Sequence, residues 1–481
     1  MKRILIIGAG PGGICAGIKL KEAGHDAFVI VEQADGVGGT WRHNTYPGCR
    51  CDVPSVLYSF SFALKPDWES RYATQPEILA YLEDLAERSG LGPHLRLNTR
   101  VAGAEWDAER CLWQVALGDG TTEEAEVLVS AVGLFNEPNV PAIPGLDSFA
   151  GPVMHSARWD HDIPLAGRRI AVIGSAASAV QLVPEVAEVA GELTVYQRTP
   201  NYVRAREANY TAEERAAISA DPDLLLAERA QVAEWVDAMC KMKNAALLDQ
   251  AAADCAQNAS VVADEDTRRR LSPSYPFGGK RPLVSSDWFP AFNRPNVHLV
   301  TDAIARIEPD AVATQDGTRR EADVIVLATG FQTTRFLSTI PVRGRDGRRL
   351  DEAWADGARA YLGITVSGFP NLFMLYGPNT NNGPILTNIE AQVAYFLRHL
   401  ARMEREGLAW IDVRSDALDA YNEELQRDIA AIPAWNADVS GYYRTENGLV
   451  VTQWPHGSGD YREVTGRPDD GAYETFSNGP G

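Results

Sequence analysis

Basic residues and cysteines are both scarce in this 481-residue chain. Lys plus Arg number 45 against 65 Asp plus Glu, a net charge of −20. Polyanions are therefore repelled on average, so neither nucleic acid nor an acidic membrane surface is an expected partner, and the basic residues must act locally. The six cysteines, Cys15, Cys49, Cys51, Cys111, Cys240 and Cys255, show no zinc-like or thioredoxin-like spacing. They read as reduced thiols, and no metal site is expected. No apolar run approaches the roughly 20 residues that cross a bilayer. The opening Met1 to Ile7 runs straight into glycines instead of a cleavage site, so neither export nor membrane insertion is expected, and a cytoplasmic location follows.

What is present is a globular composition, 45% apolar and 23% charged, at a length that points to two or three domains. Ile4 to Ile7 is a short apolar run. Gly8-Ala9-Gly10-Pro11-Gly12-Gly13 follows, then a helical pattern to Ala23 and a second run, Ala27 to Val31. The same strand, turn, helix, strand order returns at Arg169 to Ile173, Gly174 to Ala179, a helix through about Ala190, and Leu193 to Gln197. Two such units imply two nucleotide ligands. The fold class expected is α/β, with two Rossmann-like dinucleotide-binding domains and an inserted helical segment.

Between the units, Gln75 to Arg88 reads as a helix and Val101 to Val129 as an antiparallel section with a turn at Gly118-Asp119-Gly120. The Pro-rich stretch Asn136 to Gly145 places a boundary near Pro144. Thr211 to Arg270 is rich in Ala, Glu, Asp and Leu, which argues for inserted helices, either one wall of a substrate pocket or a solvated decoration; their charge favours the second. A strand at Asp323 to Thr329 is followed by a glycine-rich loop and a helix from about Ile389 to Arg405. The expected organisation is residues 1–140 as the first part of one nucleotide domain and 141–325 as the second domain, with its insertion at about 205–272. Residues 326–481 then return to the first domain and end in a loop region.

Gly8, Gly10 and Gly13 have the GxGxxG spacing directly after a strand and at the start of a helix. Glycines there allow a tight turn, close approach of the backbone to a pyrophosphate, and close helix packing, while the helix N-terminus adds partial positive charge. Pro11 and Gly12 belong to the same turn. Glu32 ends the second strand, beside Gln33, where a carboxylate can take ribose hydroxyls. The second turn, Gly174-Ser175-Ala176-Ala177-Ser178-Ala179, keeps only the first glycine, and Ala176 puts a methyl group where the backbone should meet pyrophosphate. Its second strand ends in Gln197-Arg198-Thr199-Pro200, where a cation replaces the acidic residue, as a 2′-phosphate requires. The contrast between Glu32 and Arg198 assigns FAD to the first unit and NADPH to the second.

Phe149-Ala150-Gly151-Pro152-Val153-Met154-His155-Ser156-Ala157-Arg158-Trp159-Asp160 fits FxGxxxHxxxW followed by Pro or Asp at every specified position. With this motif the chain resembles the type I Baeyer–Villiger monooxygenases of the class B flavoprotein monooxygenases. Gly38-Gly39-Thr40-Trp41-Arg42 through Tyr46 to Ser55 looks like that family's flavin-site segment. Lys280-Arg281-Pro282-Leu283 with Phe292 to Val297 looks like its catalytic-arginine segment.

The resemblance implies NADPH- and O2-dependent insertion of oxygen beside a ketone carbonyl, giving an ester or lactone. In such a reaction an anionic C4a-peroxyflavin needs a fixed cation, for which Arg281 is the matched residue; a guanidinium keeps its proton and also stabilises an oxyanion. Asp52 is matched to its acidic partner, orienting Arg281. Lys280 is expected at the 2′-phosphate with Arg198 and Thr199. Thr40, Trp41, Asp52, Tyr58 and Val101 fall where relatives touch FAD, and Gly39, Cys51 and Ile385 complete the cofactor set. His155 is read as a junction residue rather than a general base.

The chain departs from the family pattern at Ala176, which bears on NADPH binding, at Tyr442 in Ser440-Gly441-Tyr442-Tyr443, where many relatives have tryptophan, and at Ala131-Val132-Gly133. The alternative is an N- or S-oxygenating flavin monooxygenase acting through the hydroperoxyflavin. A reductase that uses Cys49 and Cys51 fits poorly, because CxC is not a redox spacing. A flavin-binding sensor without turnover is kept open only by the irregular Gly174 turn. The substrate's identity and the oligomeric state are not legible.

Overall fold

The computed structural model describes residues 1–439 and 441–477, so Ser440 lies outside the described residues. Two five-stranded parallel sheets organise the chain. The first runs Leu372–Met374, Val127–Ser130, Ile4–Ile7, Phe28–Val31, Leu95–Arg96. The second runs Val297–Val300, Glu192–Tyr196, Arg169–Ile173, Val324–Leu327, Val153–His155. In each, the strand that leads into a glycine turn is the central one. Ile4 pairs with both Phe28 and Val127, and Ile170 with both Leu193 and Val324. Interior strands of a parallel sheet are covered on both faces, which explains why Ile4–Ile7 and Val324–Leu327 are buried at every position.

The antiparallel section expected over Val101 to Val129 is real for Val101–Asp107, Leu112–Leu117 and Thr122–Ala125, which pair in succession. Val127–Ser130 corrects that reading. It leaves the antiparallel sheet and pairs in parallel with Ile4–Ile7. Glu126 marks the change, and after it the alternation of exposed and buried residues gives way to four buried positions in a row.

The helices over 212–270 lie largely on the surface. Pro222–Cys240 buries only Leu225 and leaves Leu224, Leu226 and Trp235 exposed. Ala212–Ala220 and Pro222–Cys240 make polar contacts with the first unit: Arg71 pairs with Glu214 and Glu228 at 2.8 and 2.7 Å, and Asn382 donates to the Cys240 carbonyl at 2.9 Å. Ala245–Ala259 instead rests on the second unit, where Asn258 donates to the Val203 and Ser285 carbonyls at 3.1 and 2.9 Å. The late helix begins at Ile385, one turn before the expected Ile389, and runs to Glu406. Proline at 384 cannot donate an amide, so it serves as the boundary residue that starts this helix. The helix packs against Pro11–Glu22 and returns the chain to the first sheet. No described helix is long and apolar enough to cross a membrane.

Candidate active site

The two glycine turns are built alike. Gly8 has φ +101° and passes under the Ala131 carbonyl so closely that a β-carbon would lie 2.7 Å from its oxygen. Gly174, at φ +114°, would meet the Ala328 oxygen at 2.3 Å. Both positions demand glycine, both for their left-handed backbone and for lack of room. At Gly13 a β-carbon would sit 2.0 Å from the Gly8 carbonyl oxygen, so the helix lies directly on the turn. Ala179, the corresponding position in the second unit, is fully buried, so there the helix stands off enough to admit a methyl. Ala176 adopts φ −90°, ψ −158°, which any residue tolerates, and its methyl is exposed. The irregular turn therefore keeps the backbone course of a dinucleotide turn.

Both turns open onto one cavity of about 1570 Å³, at the carboxyl ends of the two sheets where ligands of such folds bind. Of the residues expected to hold cofactors, Gly8, Gly10, Pro11, Gly12, Glu32, Gln33, Gly39, Thr40, Trp41, Cys51, Asp52, Tyr58, Val101 and Ile385 line its first half. Gly174, Ser175, Ala176, Ala177, Ser178, Arg198, Thr199 and Lys280 line the second, and Arg281 is also on the wall. Gly13 and Ala179 stand behind the wall and act through packing. No lining residue comes from 211–270, whereas Asn381, Gly383 and Tyr442 do line it.

Glu32 is buried and accepts the amides of Ala9 and Ala34 at 2.7 and 2.8 Å. These bonds fix its carboxylate at the end of the strand beside the turn. Trp41 and Tyr58 form one unit, with the indole N–H donating to the phenol at 2.8 Å and the rings edge to face at 5.4 Å. Lys280 points at the Thr199 carbonyl from 3.5 Å, and burial together with the charge of Arg198 lowers its pKa to about 8.

Arg281 and Asp52, 229 residues apart in sequence, meet in a two-pronged pair. Nε and one terminal nitrogen donate to the two carboxylate oxygens, each at 2.7 Å. Burial works against the guanidinium charge, the charge and hydrogen bonds of the Asp52 carboxylate oppose it, and on balance the Arg281 pKa stands well above its usual value. Arg281 is thus a permanent, oriented cation on the cavity wall.

The fingerprint residues have separable physical duties. Phe149 is in the core of the second sheet, and a β-carbon at Gly151 would lie 2.3 Å from the Asp323 oxygen. His155 is buried at the end of an edge strand, where Nδ1 accepts the Ala157 amide at 3.0 Å. It does not line the cavity.

Burial raises the thiol pKa values of both Cys49, to about 12, and Cys51. Both are free. Neither is a nucleophile of the kind a disulfide reductase needs.

Sequence reading missed Gln181 and Tyr376, both on the cavity wall. Tyr376 has φ +59° and its hydroxyl donates to Asn381.

Residues 5–221 match the pyridine nucleotide-disulphide oxidoreductase family model. A Baeyer–Villiger monooxygenase of Streptomyces coelicolor is 39% identical over 99% of this chain and 93% of its own length. The chain belongs to the Baeyer–Villiger monooxygenase family. In structure it is similar to OTEMO in complex with FAD and NADP, at TM-score 0.89 and 28% identity over 98% of this chain and 99% of that one. It is also similar to cyclohexanone monooxygenase from Rhodococcus sp. Phi1 bound to NADP+, at TM-score 0.88 and 31% identity over 99% of each chain. The Cys49 and Cys51 thiols therefore belong to a monooxygenase whose nucleotide units share their pattern with disulfide oxidoreductases.

Proposed function

We propose that this Baeyer–Villiger family member binds FAD in its first nucleotide unit and NADPH in its second, and uses O2 to insert an oxygen atom beside a ketone carbonyl. The observation that carries this reading is the Arg281–Asp52 pair, a fixed cation on the wall of a cavity shared by two dinucleotide turns. The chain divides accordingly, with residues 1–140 and 326–481 serving FAD and 141–325 serving NADPH.

The residues fit both cofactors. The Gly8 turn has the tight backbone course of a dinucleotide turn, Glu32 is positioned for ribose hydroxyls, and the mutually perpendicular Trp41 and Tyr58 rings present aromatic surface on the first half of the cavity wall. The N-terminus of the helix from Ile385 adds its partial positive charge to the first half of the cavity. On the other side, Arg198, Thr199 and Lys280 form a cationic, hydrogen-bonding corner suited to a 2′-phosphate.

When bound, flavin reduced by NADPH supplies the electrons for oxygen activation. Arg281 holds positive charge where negative charge develops, both on activated oxygen and on the carbonyl oxygen under attack. It has no proton to give at working pH, which suits attack by an anion and disfavours the N- or S-oxygenating alternative. Asp52 fixes the plane of the guanidinium. Buried Cys51 and the Trp41–Tyr58 pair close the wall beside Asp52.

The test is product analysis of the purified holoenzyme with NADPH, O2 and a panel of ketones, sulfides and amines. Ester or lactone formed in proportion to NADPH consumed supports the reading. Oxidation of sulfides or amines alone, across a broad ketone panel, overturns it in favour of the alternative.

A further inference from the structure

Gln181 lies one turn into the helix Ala177–Val189, which begins at the second glycine turn. Its side chain leaves that unit and reaches the loop 46–51 of the first. Oε1 accepts the Tyr46 hydroxyl at 2.9 Å and the Arg50 amide at 3.3 Å, and Nε2 donates to the Arg50 carbonyl at 3.0 Å. One side-chain amide thus pairs with both backbone groups of Arg50, as a neighbouring strand would. The amide's orientation follows from its partners, since the Tyr46 hydroxyl and Arg50 N–H are donors and the Arg50 carbonyl accepts. Burial drives the Tyr46 pKa well up, so the phenol stays a donor, and it also contacts Ser178 in the second turn. The fit is close: at Gly48, φ +77°, a β-carbon would lie 2.6 Å from the Gln181 carbonyl oxygen.

The other edge of this loop is fixed as well. Arg50 bridges Thr74, Cys51 donates to the Ala73 carbonyl at 2.9 Å, and Gln75 donates to the Cys49 carbonyl at 2.9 Å. Asp52, the next residue, holds Arg281, whose neighbour Lys280 returns to Thr199 in the second unit. Contacts therefore run from the start of the second unit's helix through Gln181, Arg50 and Asp52 to Arg281, and back to the end of that unit's second strand.

We propose that Gln181 is a positioning residue that couples nucleotide occupancy of the second unit to the placement of the Asp52–Arg281 pair. The proposal rests on the cofactor assignment above. It assigns Gln181 no contact with the reacting atoms. Occupation of the Gly174 turn orders the start of the helix. Gln181 then transmits that order to the backbone one peptide before Cys51 and two residues before Asp52.

The experiment uses the FAD-loaded enzyme carrying Gln181→Leu, with Tyr46→Phe as a milder variant that deletes one hydroxyl. NADP+ is titrated by calorimetry while the visible circular dichroism of the oxidised flavin is followed. The expected result is NADP+ affinity within about threefold of the parent, a lost or strongly reduced flavin response to NADP+, and kcat lower by about tenfold with hydrogen peroxide released in place of ester. Tyr46→Phe is expected to move both readouts the same way by a smaller factor. An unchanged flavin response and kcat in Gln181→Leu overturns the proposal. So does a rise in KM for NADPH with kcat intact, which would make Gln181 a binding residue. The flavin response does not need turnover, so failure of the ketone reaction in the parent enzyme would leave this test readable.

Discussion

Lys280 gives the cofactor assignment a quantitative signature. With a pKa of about 8 in the free enzyme, its ammonium is about nine-tenths charged at pH 7 and about one-tenth charged at pH 9. The lowered value comes first from burial and then from Arg198, and a 2′-phosphate would offset both by supplying negative charge. Binding that needs the protonated form has an apparent Kd equal to the intrinsic one divided by the competent fraction, so the Kd for NADPH should rise about tenfold from pH 7 to pH 9. The sign is fixed: affinity is full below the free-enzyme pKa and falls as pH rises through it. NADH lacks the phosphate and should show no such slope. Lys280→Met should weaken NADPH at pH 7 by about 10–100-fold, the worth of a charge-assisted hydrogen bond to phosphate, and flatten its pH dependence. Fluorescence titration of NADPH and NADH against parent and variant at five pH values measures all of this. An equal slope for NADH, or a slope that survives in Lys280→Met, refutes the assignment of Lys280 to the 2′-phosphate.

Gly13→Ala places a β-carbon 2.0 Å from the Gly8 carbonyl oxygen, a backbone contact that cannot yield without moving the turn. Purified protein should carry under a tenth of the parent's flavin, read from its absorbance, and full flavin content would contradict the role given to this turn. Asp412, which does not line the cavity, is buried, accepts the Gly368 amide at 3.0 and 3.1 Å, and lies 3.6 Å from Arg345. Burial raises its pKa to about 7, above the unfolded value near 4, so folding favours the protonated form and stability falls as pH rises from about 4 to 7. Asp412→Asn should raise the melting temperature at pH 8.5 by ~2–4 °C and little at pH 5, and a uniform or opposite shift in a thermal melt would contradict this.

The two nucleotide units were legible because their chemistry is local. A strand, a glycine turn and a helix follow one another within some 20 residues, and the close contacts at Gly8 and Gly174 show why glycine is required there. Glu32 and Arg198 could be read because each lies just past the end of a strand. What depends on distant contact was hidden. Asp52 and Arg281 could be paired only through the family resemblance, and the Gln181 contacts join residues 131 or more positions apart with no spacing to announce them. Val127–Ser130 was misplaced because three apolar residues and a serine after a hairpin carry no mark of which sheet they enter. The late start assigned to the helix at Ile385 came from placing the glycine-rich loop too far along the chain.

The most direct test of the central claim is rapid mixing of the reduced, NADP-bound enzyme with oxygen, in the parent and in Arg281→Ala, with and without a ketone that the parent converts. The parent should show a long-lived absorbance distinct from both reduced and oxidised flavin, whose decay is accelerated by ketone. In Arg281→Ala, ketone should no longer accelerate the return to oxidised flavin, and hydrogen peroxide should replace ester. Ketone conversion at the parental rate in Arg281→Ala, or immediate reoxidation with hydrogen peroxide in the parent under every substrate, would contradict it.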